Sequence, residues 1–193
     1  MLAEICSYLD KIRVYYERNV DIKKYSAIRI GGVAALIVFP QSAEDLILVI
    51  DFFEKNTVSY KIIGRMTNLL PCDGTCETVL ISTAKIKESV LKEKRVILGC
   101  GAVLSRILQK LGDRGLGGAE ALIHIPGSVG GMIYSNAGAF GSEISDFFLR
   151  AELYNPITKS VQAFLKSDMN FGYRESVLKN SKLILLRAEL MLF

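Results

Sequence analysis

At 193 residues, half of them hydrophobic and 23% charged, the chain has a globular composition with no need of a disordered tail, and is long enough for one ordinary domain or two small lobes. Its net charge of +4 is spread along the sequence, with Lys23-Lys24 and Lys92 to Arg95 the only basic clusters, which excludes a nucleic-acid stripe and suits a small anionic ligand. No apolar run approaches the roughly 20 residues of a membrane helix, and Glu4, Asp10 and Lys11 make the opening segment unlike a signal peptide, so a cytoplasmic, non-membrane protein with reduced thiols is expected.

In chain order, Leu2, Ile5, Leu9, Ile12 and Tyr16 recur every three to four positions and predict a helix ending near Asn19. Ala34 to Phe39 reads as a buried strand stopped by Pro40, after which Ser42 caps a helix with Leu46, Val49, Ile50 and Phe53 on its apolar face. Tyr60 to Ile63 and Val79 to Ile81 read as strands, so the first 83 residues form an α/β lobe. In the second lobe, residues 84–193, Arg95 to Leu98 is a predicted strand, and Leu104, Ile107, Leu108 and Leu111 predict a helix closed by Gly112. Nine glycines and Pro126 then fall between Gly112 and Gly141. The pattern turns to strands at Phe148 to Tyr154, Val161 to Phe164 and Leu183 to Leu192, with Asn155-Pro156 as a turn, giving an α+β lobe.

Two glycine-bearing loops are candidates for anion binding: Ile63 to Leu70, directly after a strand, and Ile125 to Gly131. Glycine lets backbone N–H groups approach a phosphate closely, and a loop that opens a helix adds the positive end of its dipole. Taken alone, each loop reads more readily as a tight turn than as a cofactor cradle. Neither has the spacing of a dinucleotide-binding Gly-x-Gly-x-x-Gly turn or of a Gly-x-x-x-x-Gly-Lys phosphate loop, which disfavours a Rossmann dehydrogenase and an NTPase. Cys6, Cys72, Cys76 and Cys100 are irregularly spaced and His124 is the single histidine, so no metal site is expected; His124 itself reads as a packed side chain beside an apolar loop.

Five segments in sequence make the chain resemble the UDP-N-acetylenolpyruvoylglucosamine reductase family. They are Tyr25-Ser26-Ala27-Ile28-Arg29-Ile30-Gly31-Gly32, then Ile63 to Leu70, then Gly115 to Glu120 running into Ile125-Pro126-Gly127-Ser128-Val129-Gly130-Gly131, then Asn136 to Glu143, and finally Phe171-Gly172-Tyr173-Arg174-Glu175-Ser176. The resemblance implies an α+β, two-lobed FAD-binding module of the p-cresol methylhydroxylase type. By carry-over, Gly64, Thr67, Asn68 and Leu69 hold the cofactor from the first lobe, and Ile125, Pro126, Gly127, Ser128, Gly130, Gly131, Asn136 and Gly138 from the second.

The activity implied is reduction of UDP-N-acetylglucosamine enolpyruvate to UDP-N-acetylmuramate, a step of peptidoglycan precursor synthesis, with NADPH as the reductant of FAD. Arg174 matches the family's catalytic arginine, which stabilises the enolate as hydride adds, and Tyr173 lies beside it at the substrate. The chain departs from the family in having Met66 where a glycine is usual, Phe140 for the usual tyrosine, and no match to the family's third, substrate-binding domain, which carries the proton donor and a supporting glutamate. Three readings follow: the FAD-binding part of a reductase completed by a C-terminal domain from elsewhere or by a homodimer partner; a non-catalytic or degenerate flavin-binding module or subunit of a split enzyme; and a protein that keeps the fold without the cofactor.

Overall fold

The computed structural model describes residues 1–193, which divide into two compact units, Met1–Ile86 and Lys87–Phe193. In the first unit, helix α1 (Leu2–Lys11) buries Ile5, Cys6 and Leu9. It stops well short of Asn19: Arg13 takes a left-handed φ of 57°, and Tyr15–Asp21 is a strand, β1. Tyr16 continues the helical spacing only by coincidence, because the Tyr-Tyr start of this segment suits an extended chain and the edge of strand β2 (Val33–Phe39) offers it six backbone pairings. Helix α2 (Ala43–Lys55) begins where expected, with the Ser42 hydroxyl accepting the Asp45 N–H at 3.0 Å, and buries Leu46, Val49, Ile50 and Phe53. The rings of Tyr8 and Phe52 stack at 3.9 Å, joining α1 to α2. Strands β3 (Tyr60–Ile63), β4 (Thr75–Cys76) and β5 (Val79–Ser82) complete a sheet of order β1-β2-β5-β3, with β4 beside β2. The β2–β5 and β3–β5 pairs are parallel and only β1 runs antiparallel, so the lobe is α/β with one added edge strand.

The Ile30-Gly31-Gly32 turn of this unit is glycine for a steric reason. A Cβ on Gly32 would lie 1.9 Å from the Gly74 carbonyl oxygen, and the Gly32 N–H donates to the Cys72 carbonyl at 2.7 Å.

The second unit is built on an antiparallel sheet of order β11-β10-β12-β7-β6, from β6 (Ser89–Lys92), β7 (Arg95–Gly99), β10 (Phe148–Asn155), β11 (Ser160–Leu165) and β12 (Ile184–Met191). Strand β6 escaped the sequence reading, since its exposed Ser-Val-Leu-Lys has little burial pattern and owes its conformation to pairing with β7. Central strand β12 buries six of its eight residues. One face carries charges that pair across strands: Glu189, itself buried, receives Arg150 Nε at 2.6 Å from the residue opposite it, and Arg187 Nε lies 3.1 Å from Glu152 on the same pattern. Helices α3 (Leu104–Gly112), α4 (Val129–Tyr134) and α5 (Ile144–Phe147) add Leu104, Leu108, Leu111, Val129, Met132, Ile133, Ile144 and Phe147 to the core, and α4 packs on β12 and β7. A small hairpin pairs β8 (Gly138–Ala139) with β9 (Ser142–Glu143). The Asn155 carboxamide accepts the Ile157 N–H at 3.0 Å and makes the expected turn between β10 and β11.

Candidate functional site

The loop after β3 is held by its middle. Met66 takes a φ of +50°, a left-handed conformation uncommon for a residue with a side chain, and its carbonyl accepts the Ala27 N–H at 3.3 Å. Met66 is 6% exposed and belongs to a core cluster with Val20, Ile22, Ala34, Ile37, Phe39, Ile63 and Leu80, with Tyr25 and Cys76 packed against it. The methionine therefore turns inward and serves as the anchor of the loop, so it does not crowd the loop's outer surface. On either side, Gly64 and Thr67 are half-buried while Asn68, Leu69 and Leu70 are exposed, and the amides of Met66, Asn68 and Leu69 donate to no protein acceptor. Backbone donors without a protein acceptor are chemistry that suits a phosphate oxygen.

The loop at 125–131 is bonded far more closely. Ser128 is buried and caps α4, its hydroxyl accepting the Gly131 N–H at 3.4 Å. The next two amides are also engaged: Val129 N–H donates to the Ala102 carbonyl at 2.9 Å and Gly130 N–H to the Cys100 carbonyl at 2.8 Å. A Cβ on Gly130 would sit 3.0 Å from that Cys100 oxygen, so glycine here permits close packing of α4 on the backbone at 100–102. Ile125 N–H closes a turn onto Leu122, Pro126 is exposed, and Gly127 adopts a φ of +145°. The amides of Gly127 and Ser128 have no protein acceptor, which leaves two successive donors at the loop's apex. His124 is exposed rather than packed; Leu122 fills the core position of that turn and the imidazole projects from the next one but one. Just upstream, the Gly118 N–H donates to Glu120 at 2.8 Å and holds that carboxyl below its ordinary pKa.

Downstream of α4, two hairpins lie together. In the first, Gly138 and Ala139 pair with Glu143 and Ser142, and Phe140 at its tip is 88% exposed with a φ of +53°. In the second, Gly172 and Glu175 exchange both backbone hydrogen bonds, at 3.2 and 3.1 Å, around the exposed pair Tyr173-Arg174. Arg174 has a φ of +57°, where glycine or asparagine is the usual occupant, and its guanidinium lies 5.6 Å from the Tyr173 ring centroid and donates to the Gly138 carbonyl at 3.3 Å.

Asn136, 1% exposed, sits between the hairpins: its Nδ2 donates to Glu143 Oε2 at 2.7 Å and to the Gly172 carbonyl at 3.0 Å, and its Oδ1 accepts the Ser145 N–H at 3.2 Å. Ser176, also buried, donates its hydroxyl to the Tyr134 carbonyl at 2.9 Å. The second unit thus brings Asn136, Gly138, Tyr173 and Arg174 into one cluster, to which Glu143 and Ser176 belong although neither was singled out from the sequence. Their only signal was position, one inside the glycine-rich segment and the other two residues past Arg174.

No three His, Cys, Asp or Glu side chains are grouped as a metal site would require, all four cysteines are free thiols, and no helix is long and apolar enough to cross a membrane.

Known proteins resemble the chain along nearly all of its length. It is 36% identical over 180 residues to UDP-N-acetylenolpyruvoylglucosamine reductase of Caldicellulosiruptor saccharolyticus, covering 93% of this chain and 58% of that protein. It is 33% identical over 165 residues to the Bacillus subtilis protein of the same name, covering 85% and 54%. Among solved structures, UDP-N-acetylenolpyruvylglucosamine reductase from Thermus caldophilus superposes with a TM-score of 0.76 at 26% identity, over 94% of this chain and 62% of that one. The glucooligosaccharide oxidase of Acremonium strictum, at 14% identity over 98% of this chain and 42% of that one, has a TM-score of 0.73 and shares the fold alone. The chain spans somewhat more than half the length of the curated relatives it matches. The profile of the FAD binding domain family matches residues 34–161, about two thirds of the sequence, and together with the α+β architecture this establishes that the chain belongs to that family.

Proposed function

We propose that this chain is the FAD-binding part of a reductase that converts UDP-N-acetylglucosamine enolpyruvate to UDP-N-acetylmuramate with NADPH, in the cytoplasm. Membership of the FAD binding domain family and 36% identity to reductases of that name support it. The observation on which it chiefly rests is Arg174: an exposed cation on a left-handed turn, tied to the neighbouring hairpin, in the Tyr173-Arg174-Glu175-Ser176 segment that resembles the reductases. Backbone strain of this kind persists only where the surrounding structure enforces it, and such places are commonly functional.

The first unit would hold FAD through Gly64, Thr67, Asn68 and Leu69, whose loop offers free amides. In the second unit Ile125, Pro126, Gly127, Ser128, Gly130, Gly131 and Gly138 would line the dinucleotide, with the Gly127 and Ser128 amides as the donors. Bound FAD supplies the hydride chemistry. The protein supplies charge: one guanidinium nitrogen of Arg174 is engaged by the Gly138 carbonyl, and the rest of its planar fork is open to receive a carboxylate at two points. As hydride adds beside that carboxylate, negative charge builds on it as an enolate, and a fixed cation stabilises the charge more than it stabilises the ground state. Tyr173, stacked near the guanidinium, would restrict its swing and border the substrate.

The test is stopped-flow spectroscopy on the FAD-loaded chain combined with the separately expressed C-terminal portion of a relative. Arg174→Ala should leave reduction of the flavin by NADPH unchanged and slow its reoxidation by the enolpyruvyl substrate by at least about a hundredfold. Unchanged reoxidation would remove Arg174 from the mechanism. A flavin-binding subunit with no turnover of its own would instead give flavin uptake with no reoxidation by substrate even when the C-terminal portion is present.

A further inference from the structure

We infer that Asn136 acts as a positioning residue for Arg174 and makes no contact with the cofactor through its side chain, an inference that rests on the proposed role of Arg174. A carboxamide has two donor hydrogens and an oxygen with two lone pairs. In Asn136 both donors are taken by protein, by Glu143 and by the Gly172 carbonyl, and the oxygen accepts the Ser145 N–H, with only 1% of the residue exposed. A ligand would have to displace a partner of the NH2 group or uncover the buried oxygen to reach it. What the amide does instead is join the hairpin that presents Gly138 to the turn that presents Arg174.

The geometry of Arg174 explains why such a joint is needed. A left-handed arginine tends to relax to negative φ, and the two backbone bonds between Gly172 and Glu175 are all that the short turn has of its own. The turn is fixed from outside at both ends, at Gly172 by Asn136 and at Ser176 by the Tyr134 carbonyl. Glu143 sets the orientation of the amide. A carboxylate only accepts, so it draws the NH2 side of Asn136 toward itself and, with it, toward the Gly172 carbonyl; the opposite orientation would face two acceptors with a third. Glu143 is in turn the N-cap of α5, its backbone N–H donating to Asp146 at 2.8 Å, so the chain of contacts ends on a fixed element.

Asn136→Asp keeps the shape and replaces the donor by an oxygen. At neutral pH that oxygen would face Glu143 and the Gly172 carbonyl, and the turn should open; at acid pH the proton taken up by the crowded carboxyl pair, carried on the new carboxyl, gives the Gly172 carbonyl a donor again and should close it. Opening can be read without flavin or substrate, from tryptic cleavage after Arg174 measured by mass spectrometry and normalised to cleavage after exposed Lys159 in the β10–β11 turn. The ratio should rise on the order of tenfold over the unmutated chain at pH 8, fall back toward it near pH 5.5, and stay raised at both pH values in Asn136→Asp combined with Glu143→Gln, where the new amide faces the carboxylate and leaves the Gly172 carbonyl without a donor. The melting temperature, recorded alongside, separates local opening from global loss of structure. A ratio unchanged at both pH values overturns the inference, as does a loss of FAD affinity in Asn136→Asp that is as large at pH 5.5 as at pH 8. Failure of the unmutated chain to take up FAD would instead count against the proposed function, and the cleavage ratios would still decide the role of Asn136.

Discussion

The loops at 63–70 and 125–131 look alike in sequence, each a glycine-bearing stretch suited to a phosphate, and the fold treats them in opposite ways. The first is anchored in the core by the buried side chain of Met66 and leaves the amides of Met66, Asn68 and Leu69 without a protein acceptor. The second is fastened amide by amide to the backbone at 100–102 and to Ser128, and only Gly127 and Ser128 keep open N–H groups. Glycine in the second loop serves chain packing first and any ligand second. In the first loop, the left-handed position that would suit a glycine is held by a methionine whose burial offsets the strain. A glycine pattern therefore marks where backbone comes close to something, without saying whether that is a ligand or another strand.

Mutations can break this contrast, and the largest effect falls on the first loop. Met66→Ala should destabilise the protein by about 2–5 kcal/mol in chemical denaturation, as for a buried methionine in a core, and Met66→Leu should restore most of the loss. If Met66→Gly proved more stable than the unmutated chain, relief of φ would outweigh packing and the anchoring role would be wrong. For the second loop, Gly130→Ala places a methyl 3.0 Å from the Cys100 oxygen and should cost about 1–3 kcal/mol by the same measurement; a neutral result would mean that α4 is not held as closely as described. Asn68→Ala, on an exposed side chain, should change stability by less than about 0.5 kcal/mol while weakening FAD affinity in a fluorescence titration. Equal losses of stability and affinity would make that loop structural.

The smallest effect appears only in alkali. Burial, assisted by a 2.6 Å hydrogen bond to Glu17, pushes the Tyr25 phenol up to about 12 from 10.0. The folded state then holds a proton that the unfolded chain gives up, so the stability from this group is complete below pH 10 and is lost as pH rises through 12. Melting temperatures across that range should fall less steeply for Tyr25→Phe, and an identical slope would show that the packing of Tyr25 against the Met66 cluster does not control its ionisation.

Much of the fold was legible because burial patterns in strands and helices leave a periodic trace. The stretches 34–39, 60–63 and 95–98, the Ser42 cap and the Asn155-Pro156 turn lie where the sequence suggested. Strands β1 and β6 were not legible: each is an edge strand whose conformation comes from its partner, and Tyr16 happens to extend the spacing of α1. The segments carrying the candidate site were visible as motifs. The division of labour inside them was not, since the motif containing Asn136 is the same whether its amide faces a ligand or, as here, Glu143, Gly172 and Ser145. His124 shows the same limit, because an apolar neighbourhood in sequence does not tell which way a side chain turns.

The most direct measurement is the visible absorption spectrum of the purified chain before and after titration with FAD. The account predicts saturable uptake, with the oxidised-flavin bands near roughly 370 and 450 nm sharpened and shifted by a protein environment. A colourless protein whose addition leaves the spectrum of free FAD unchanged would contradict it.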